Sequence, residues 1–446
     1  MRYAALAVML MAAAGPLTGQ APITYERYRL ANGLNVFLVE DHDTPIATVN
    51  VWYNVGSRNE RLGRSGFAHL FEHMMFQGSA NVGKGEHFQL IERAGGSMNG
   101  TTNEDRTAYF ETLPANRLNL GLWLEADRMR SLAVTDDNFE NQRETVKEER
   151  RLRVDNQPYG KAFSDGLTLI YDSTECFPYA HTVIGSMDDL DAAATPDVQA
   201  FFDLYYTPSN ATLTVVGDFD PAEAKRLIEQ YFGDIPRGAD QPGIECAHAY
   251  GSAGGRRHVW EDRLANIPLV LMTFLTPPHS HEDTPPLTLL ATILAGGESS
   301  RLNRSLVRDQ QLALASGGFS SSRRGPSQFI AFAIANQGIA VDTIEAALRA
   351  EIDRIIDEGV TPEELDKARN DFRAGNIFGR QTTMSVAQRI QHFVHYHDSV
   401  DEINVDLDRY MAVTAEDIQR AARTYLATEN SLVLVVVPQQ QEGVQP

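Results

Sequence analysis

The strongest constraint on this chain is that part of it reads twice. Ser209-Asn-Ala-Thr-Leu-Thr-Val-Val returns as Glu429-Asn-Ser-Leu-Val-Leu-Val-Val, and the turn-plus-cap Thr135-Asp-Asp-Asn-Phe-Glu returns as Thr361-Pro-Glu-Glu-Leu-Asp. Two landmarks in the same order at similar separations indicate an internal duplication of about 200 residues. Each copy must bury a core of its own, and 446 residues supply enough chain for two. Strand-like and helix-like runs are mixed rather than strictly alternating. The expected class is therefore α+β: two homologous domains, each a mostly antiparallel sheet packed with helices. The expected boundaries are a leader at 1–21, a first domain at 22–235, a linker at 236–258 and a second domain at 259–446. The linker is rich in Gly, Pro and Ala and lacks periodicity.

In the first copy, residues 25–30 and 34–40 alternate and meet at Ala31-Asn32-Gly33, a hairpin signal. Further strands are expected at 46–55, 97–102, 107–113 and 211–216, and helices at 85–93, 116–130, 136–153, 195–205 and 221–232. Asp136 and Asp137 sit where a helix dipole favours acids. The second copy offers a strand at 267–275 and helices at 286–294, 339–358 and from Thr361 to about residue 374.

Hydrophobic residues make up 43% of the chain and charged residues 22%, the balance of a soluble globular protein. The formal net charge of -21 argues against nucleic acid or an anionic membrane surface as partner. Arg2, the small apolar run at 3–14 and the polar stretch at 15–22 have the layout of a secretory signal peptide, cleaved between Ala14 and Ala21. That run is too short to span a bilayer and no other segment is long enough. The mature protein is expected to be exported, to the periplasm. In that compartment Cys176 and Cys246 form one disulfide or remain two buried thiols, and their spacing does not decide between these.

The chemistry concentrates in residues 66–78, GFAHLFEHMMFQG. His69 and His73 stand four apart on an apolar, helix-like run, so both imidazoles share one face. Two such ligands occupy two corners of a zinc tetrahedron, with Glu72 beside the metal as a base; the order His-x-x-Glu-His is the inverted zincin motif. A catalytic zinc needs a third protein ligand. The charged helix at 136–153 offers Glu140, Glu144, Glu148 and Glu149, each of which taken alone reads as part of a solvated face.

Taken together, these stretches resemble the pitrilysin-type zinc peptidases, specifically bacterial two-domain members similar to the beta-type subunits of mitochondrial processing peptidase. The resemblance rests on His-x-x-Glu-His, on ENQRETVKEERR from Glu140, on GGSMNGTTNEDRTAYF from Gly95, on PYAHTVIGSMDDL from Pro178 and on YYTPSNATLTVVGDFD from Tyr205. It implies one Zn²⁺ per chain held by His69, His73 and Glu149, the last of these 76 positions after His73, with Glu148 as the competing neighbour. It implies Glu72 as general base and Asn99, Gly100 and Thr101 as an edge strand that pairs with a peptide substrate. Where the family often has a supporting glutamate this chain has Gln142, with Glu144 near it.

The resemblance further implies a clamshell of which this chain is one half. The far half in this family supplies an Arg and a Tyr seven positions apart; the matching segment here has Arg308 but Ala315 in the second place. A homologous subunit carrying the Arg/Tyr pair is the expected partner, with a homodimer as fallback. The expected function is a zinc metalloendopeptidase acting on peptides or unfolded polypeptides. The alternatives are a non-catalytic assembly or processing subunit that binds peptides, and a zinc-binding or transport protein. The remaining histidines, His279, His281, His392, His395 and His397, are expected to serve surface or packing roles, because the last three do not share one helical face.

Overall fold

The computed structural model describes residues 21–246 and 253–439; the apolar leader run and residues 247–252 of the expected linker lie outside them. In the first half, β1 (Glu26–Arg29) and β2 (Asn35–Glu40) form the hairpin that the Asn-Gly turn announced, followed by β3 (Ile46–Tyr53), β4 (Ser97–Thr102), β5 (Thr107–Pro114) and β6 (Ala211–Gly217). The sheet order is β1-β2-β6-β3-β5-β4, which leaves β4 at an edge. Helices α1 (Phe67–Met74), α2 (Glu86–Arg93), α3 (Leu118–Ser131) and α4 (Asp136–Arg150) lie in the connections.

The second half repeats this plan with β7 (Arg256–Asp262), β8 (Leu269–Thr276), β9 (Ala313–Ser321), β10 (Ser327–Ala335) and β11 (Ser431–Pro438), ordered β7-β11-β8-β10-β9. In both sheets the last strand pairs parallel with a strand at or next to one edge and antiparallel with a more central one: β6 with β2 and β3, β11 with β7 and β8. The duplication extends to single hydrogen bonds. Asn210 donates to the Tyr205 carbonyl at 2.8 Å and Asn430 donates to the Tyr425 carbonyl at 2.6 Å, each closing a helix just before the strand that follows. Thr135 and Thr361 both cap the helices they precede, accepting from Asn138 N and Glu364 N.

Helices pack on one face of each sheet to form the main cores. Val49, Val51, Tyr53, Leu213 and Val215 meet Leu70, Phe71 and Met74 of α1 in the first; Val270, Phe274, Phe329 and Ala331 meet Leu290, Ile344 and Leu348 in the second. The other faces are covered by exchange. The helix Thr383–Tyr396, from the second half, lays Val386, Ala387, Ile390 and Phe393 on Phe37, Val39 and Val216 of the first sheet. Conversely, Tyr159, Ala162, Phe163 and Leu167 from the first half cover Leu271, Ile330 and Leu434 of the second. This explains why β3 and β6 are buried almost throughout rather than on alternate residues.

Several details differ from the sequence reading. The long acidic helix keeps α geometry only to Arg150 and then relaxes into a π turn, Arg151–Asp155. β7 begins at Arg256 as a polar, mostly exposed edge strand, a pattern that periodicity does not detect. β9 is rich in Gly, Ala and Ser and has no hydrophobic alternation to announce it. Cys176 and Cys246 are joined in a disulfide, packed with Ile170, Tyr179 and Leu432 where the halves meet. No helix among the described residues is long and apolar enough to cross a membrane.

Candidate metal centre

α1 starts abruptly, and its first turn is held from a distance. Gly66 takes a left-handed φ of 90° just before it. The buried carboxylate of Glu60 then accepts from Gly66 N and Ala68 N, both at 2.8 Å, satisfying amides that a helix start leaves open. His181 Nε2 contacts the same carboxylate at 3.1 Å. Burial pushes the Glu60 carboxyl up, while His181 and the two amides pull it back. Burial lowers His181, and its contact with Glu60 together with hydrogen bonds to the Phe177 and Ser57 carbonyls more than reverses this, so its pKa is raised. Gly185 packs directly on Gly66, where any side chain would collide with backbone, and Asp189 accepts from Ser65 N at 2.9 Å. The stretch PYAHTVIGSMDDL is thus the clamp on the N-terminus of α1.

The buried face of α1 turns Phe67, Leu70, Phe71 and Met74 into the core, which leaves His69, Glu72 and His73 on the face toward α4 and β4. The two imidazoles lie 4.9 Å apart between centroids, at 76° to each other. Glu149 Oε2, from the end of α4, stands 3.3 Å from His73 Nε2 and 3.6 Å from His69 Nε2. One donor atom from each of the three residues falls within 4.8 Å of the others. Burial and the neighbouring His73 push His69 down to about 4, so its imidazole is neutral with a lone pair to offer. Its Nδ1 is buried without a hydrogen-bond partner among the described residues. The Glu149 carboxyl is held below its usual range, chiefly by its hydrogen bond with His73. Two imidazole nitrogens and a carboxylate oxygen on one small face are a donor set suited to zinc.

The other glutamates of α4 point elsewhere. Glu148 is 57% exposed and pairs with Arg151 at 3.1 Å, Glu144 pairs with Lys147 at 3.1 Å, and Glu140 pairs with Arg143. Glu144 is therefore no substitute for a supporting carboxylate, and Gln142, buried, donates to Asn141 Oδ1 at 2.8 Å. The residue that supports Glu149 is one the sequence did not single out: Arg153, in the π turn, holds Glu149 Oε1 at 2.9 Å.

Glu72 sits between the imidazoles and β4. Burial raises its carboxyl pKa, and a hydrogen bond with Thr102 opposes the rise. Gly100 passes so close that a Cβ there would lie 3.1 Å from Glu72 Cγ. Asn99 is exposed on the same edge strand, and its Oδ1 accepts from Gly100 N at 2.9 Å. Thr101 is tied to Arg106 through its carbonyl at 2.6 Å. The structure thus gathers Asn99, Gly100 and Thr101 along the edge of the sheet beside Glu72, with Gly100 N and the Thr101 carbonyl bonded within the chain.

Residues 35–165 match the family described as Insulinase (Peptidase family M16), and residues 195–372 match the Peptidase M16 inactive domain, between them more than half of the chain. The chain belongs to peptidase family M16. It is 29% identical over 417 residues to zinc protease PqqE of Helicobacter pylori, covering 93% of each chain. The crystal structure of a protease from Helicobacter pylori matches the M16 chain with a TM-score of 0.87 at 29% identity, over 94% of this chain and 100% of that one. The periplasmic protease PqqL from Escherichia coli shares the fold, with a TM-score of 0.75 at 17% identity, over 94% of this chain but 48% of that one. The two-sheet M16 plan is therefore common to all three. The inactive-domain match falls largely on the copy that lacks His-x-x-Glu-His.

Proposed function

We propose that this chain is the metal-bearing subunit of an exported zinc metalloendopeptidase that cleaves peptides or unfolded polypeptides. The observation that carries the reading is the convergence of His69, His73 and Glu149 beside a half-buried Glu72 and the edge strand β4. Zinc held by those three residues supplies Lewis-acid polarisation of the scissile carbonyl and of water. Glu72, its basicity raised by burial, takes the proton of the attacking water and passes it to the leaving amine. β4 offers the backbone of Asn99, Gly100 and Thr101 to an extended substrate, which adds to the sheet as a further strand and so lies across Glu72.

Two observations support a two-chain chamber. The chain spans 48% of the length of PqqL, and Arg308, exposed in the last turn of the π-helical segment Asn303–Asp309, has Ala315 rather than a tyrosine seven residues on. A homologous subunit that brings the Arg/Tyr pair completes the substrate clamp, and a homodimer is the fallback. The Cys176–Cys246 disulfide supports an oxidising, periplasmic setting.

Glu72→Gln tests the mechanism. Cleavage of a fluorogenic unfolded polypeptide should fall by about 10²- to 10⁴-fold with zinc content unchanged. Unaltered cleavage in the variant would remove Glu72 as the base, and peptide binding without any cleavage in the wild type would favour the non-catalytic processing subunit instead.

A further inference from the structure

The helix Thr383–Tyr396 carries a histidine run whose members do not share one face, and the structure separates them. His395 turns toward Trp52 of the first sheet, 5.9 Å away between centroids. His392 turns the other way and meets His279, from the loop after β8, with their Nε2 atoms 3.0 Å apart. His397, just past the helix end, completes the group: its ring lies 4.9 Å from that of His279 and 6.0 Å from that of His392. One donor nitrogen from each of the three lies within 4.8 Å of the others. The sequence alone did not bring His279 to this run, because it is more than a hundred residues away and in a Pro-rich turn.

We propose that His279, His392 and His397 form a second transition-metal site, a three-imidazole site that fastens the exchanged helix to the second half. Four observations carry it. Ligand nitrogens about 2.0–2.1 Å from a tetrahedral ion lie about 3.3 Å from one another, close to the 3.0 Å separation of the His279 and His392 nitrogens. The Nε2–Nε2 contact supplies one hydrogen bond between two of the rings, and it leaves His279 Nδ1 buried without a partner among the described residues. His397 Nδ1 is 3.3 Å from Glu402 Oε2, the carboxylate–imidazole contact that leaves Nε2 free to ligate. A cavity of about 180 Å³ adjoins the cluster, room for a water or small anion as further ligand.

The nearby cations are already answered. Arg409 pairs with Glu402 at 2.9 Å and Arg389 with Asp406 at 3.5 Å, so the cavity wall is close to neutral. Affinity then comes from the imidazoles, a set that suits Zn²⁺, Cu²⁺ or Ni²⁺ rather than Mg²⁺ or Ca²⁺.

The test is a metal count on the full chain, stripped with chelator, reloaded with zinc chloride and desalted. The wild type should hold two zinc ions per chain, and His73→Ala and His392→Gln one each. The double variant should hold none. Zinc should still raise the melting temperature of His73→Ala and lose that effect in the double variant. His279→Gln, on a loop rather than in the exchanged helix, repeats the measurement if His392→Gln folds poorly. One zinc in the wild type and in His392→Gln, with none in His73→Ala, would overturn the second site while leaving the first intact. Two ions in the wild type with one lost in His392→Gln upholds it, whether or not the chain cleaves peptides.

Discussion

Glu148 and Glu149 are neighbours on α4, yet about 100° of helix separates their side chains. That step sends Glu148 into solvent against Arg151 and brings Glu149 to the two imidazoles. On the proposed assignment Glu149→Gln removes a ligand rather than a supporting contact, and it should weaken zinc binding by more than about 100-fold. Glu148→Gln should leave affinity and stability within about 0.5 kcal/mol of wild type. Competition with a zinc-sensitive dye reads both, and equal losses in the two variants would contradict the assignment. His69, Glu72 and His73 were legible because their relation is local, three residues on one turn. Choosing Glu149 over its neighbour needed the family resemblance. Glu60 and His181 were not legible, for a cap that reaches in from six residues before Gly66 leaves no periodic trace.

Among the elements, the exchanged helix Thr383–Tyr396 does the most to join the halves. Gln391 donates to the Asn50 and Thr212 carbonyls at 3.0 and 2.8 Å, and Thr383 meets Thr48 at 2.8 Å, so polar groups fix its position over the apolar contact. Ile390 is fully buried there. Ile390→Ala should cost about 2–5 kcal/mol and lower one shared unfolding transition rather than splitting it in two. Calorimetry decides this: a second, independent transition would mean that the halves are stabilised separately. Sequence periodicity found the strands of the first sheet and most of its helices, since each has a pattern of its own. It could not show which sheet a helix covers, because that choice depends on chain path and not on the helix's apolar stripe.

Taken whole, the molecule is locked by the turn between β9 and β10. Arg323 reaches across to Glu104 at 2.5 Å, Arg324 N donates to the buried Asp105 at 3.0 Å, and Gly325 N donates to Tyr179 at 2.8 Å. Burial raises the Glu104 carboxyl, but the Arg323 charge and hydrogen bond more than reverse this and hold it below its usual range. A carboxyl depressed on folding contributes stability above its unfolded pKa of about 4.3 and loses it as pH falls through the folded value. Glu104→Gln should therefore cost about 2 kcal/mol at pH 7 and progressively less below about pH 4, read from urea midpoints. An equal cost at both pH values would remove the ion pair from the account. The two-copy architecture was legible from matched landmarks, whereas this cross-brace was not, since NED and RRG lie far apart in the chain.

The exchange also sets an order of events during synthesis. Ile23 donates its amide to the Asn404 side chain at 2.8 Å and accepts from it through its carbonyl at 2.9 Å. The outer face of the first sheet waits for residues 383–403 to cover it. A polypeptide made from its N-terminus forward cannot complete its first half until nearly all of it has left the ribosome. Until then a broad apolar sheet face lies bare, and holding factors that shield nascent chains have a reason to engage this one throughout its translation.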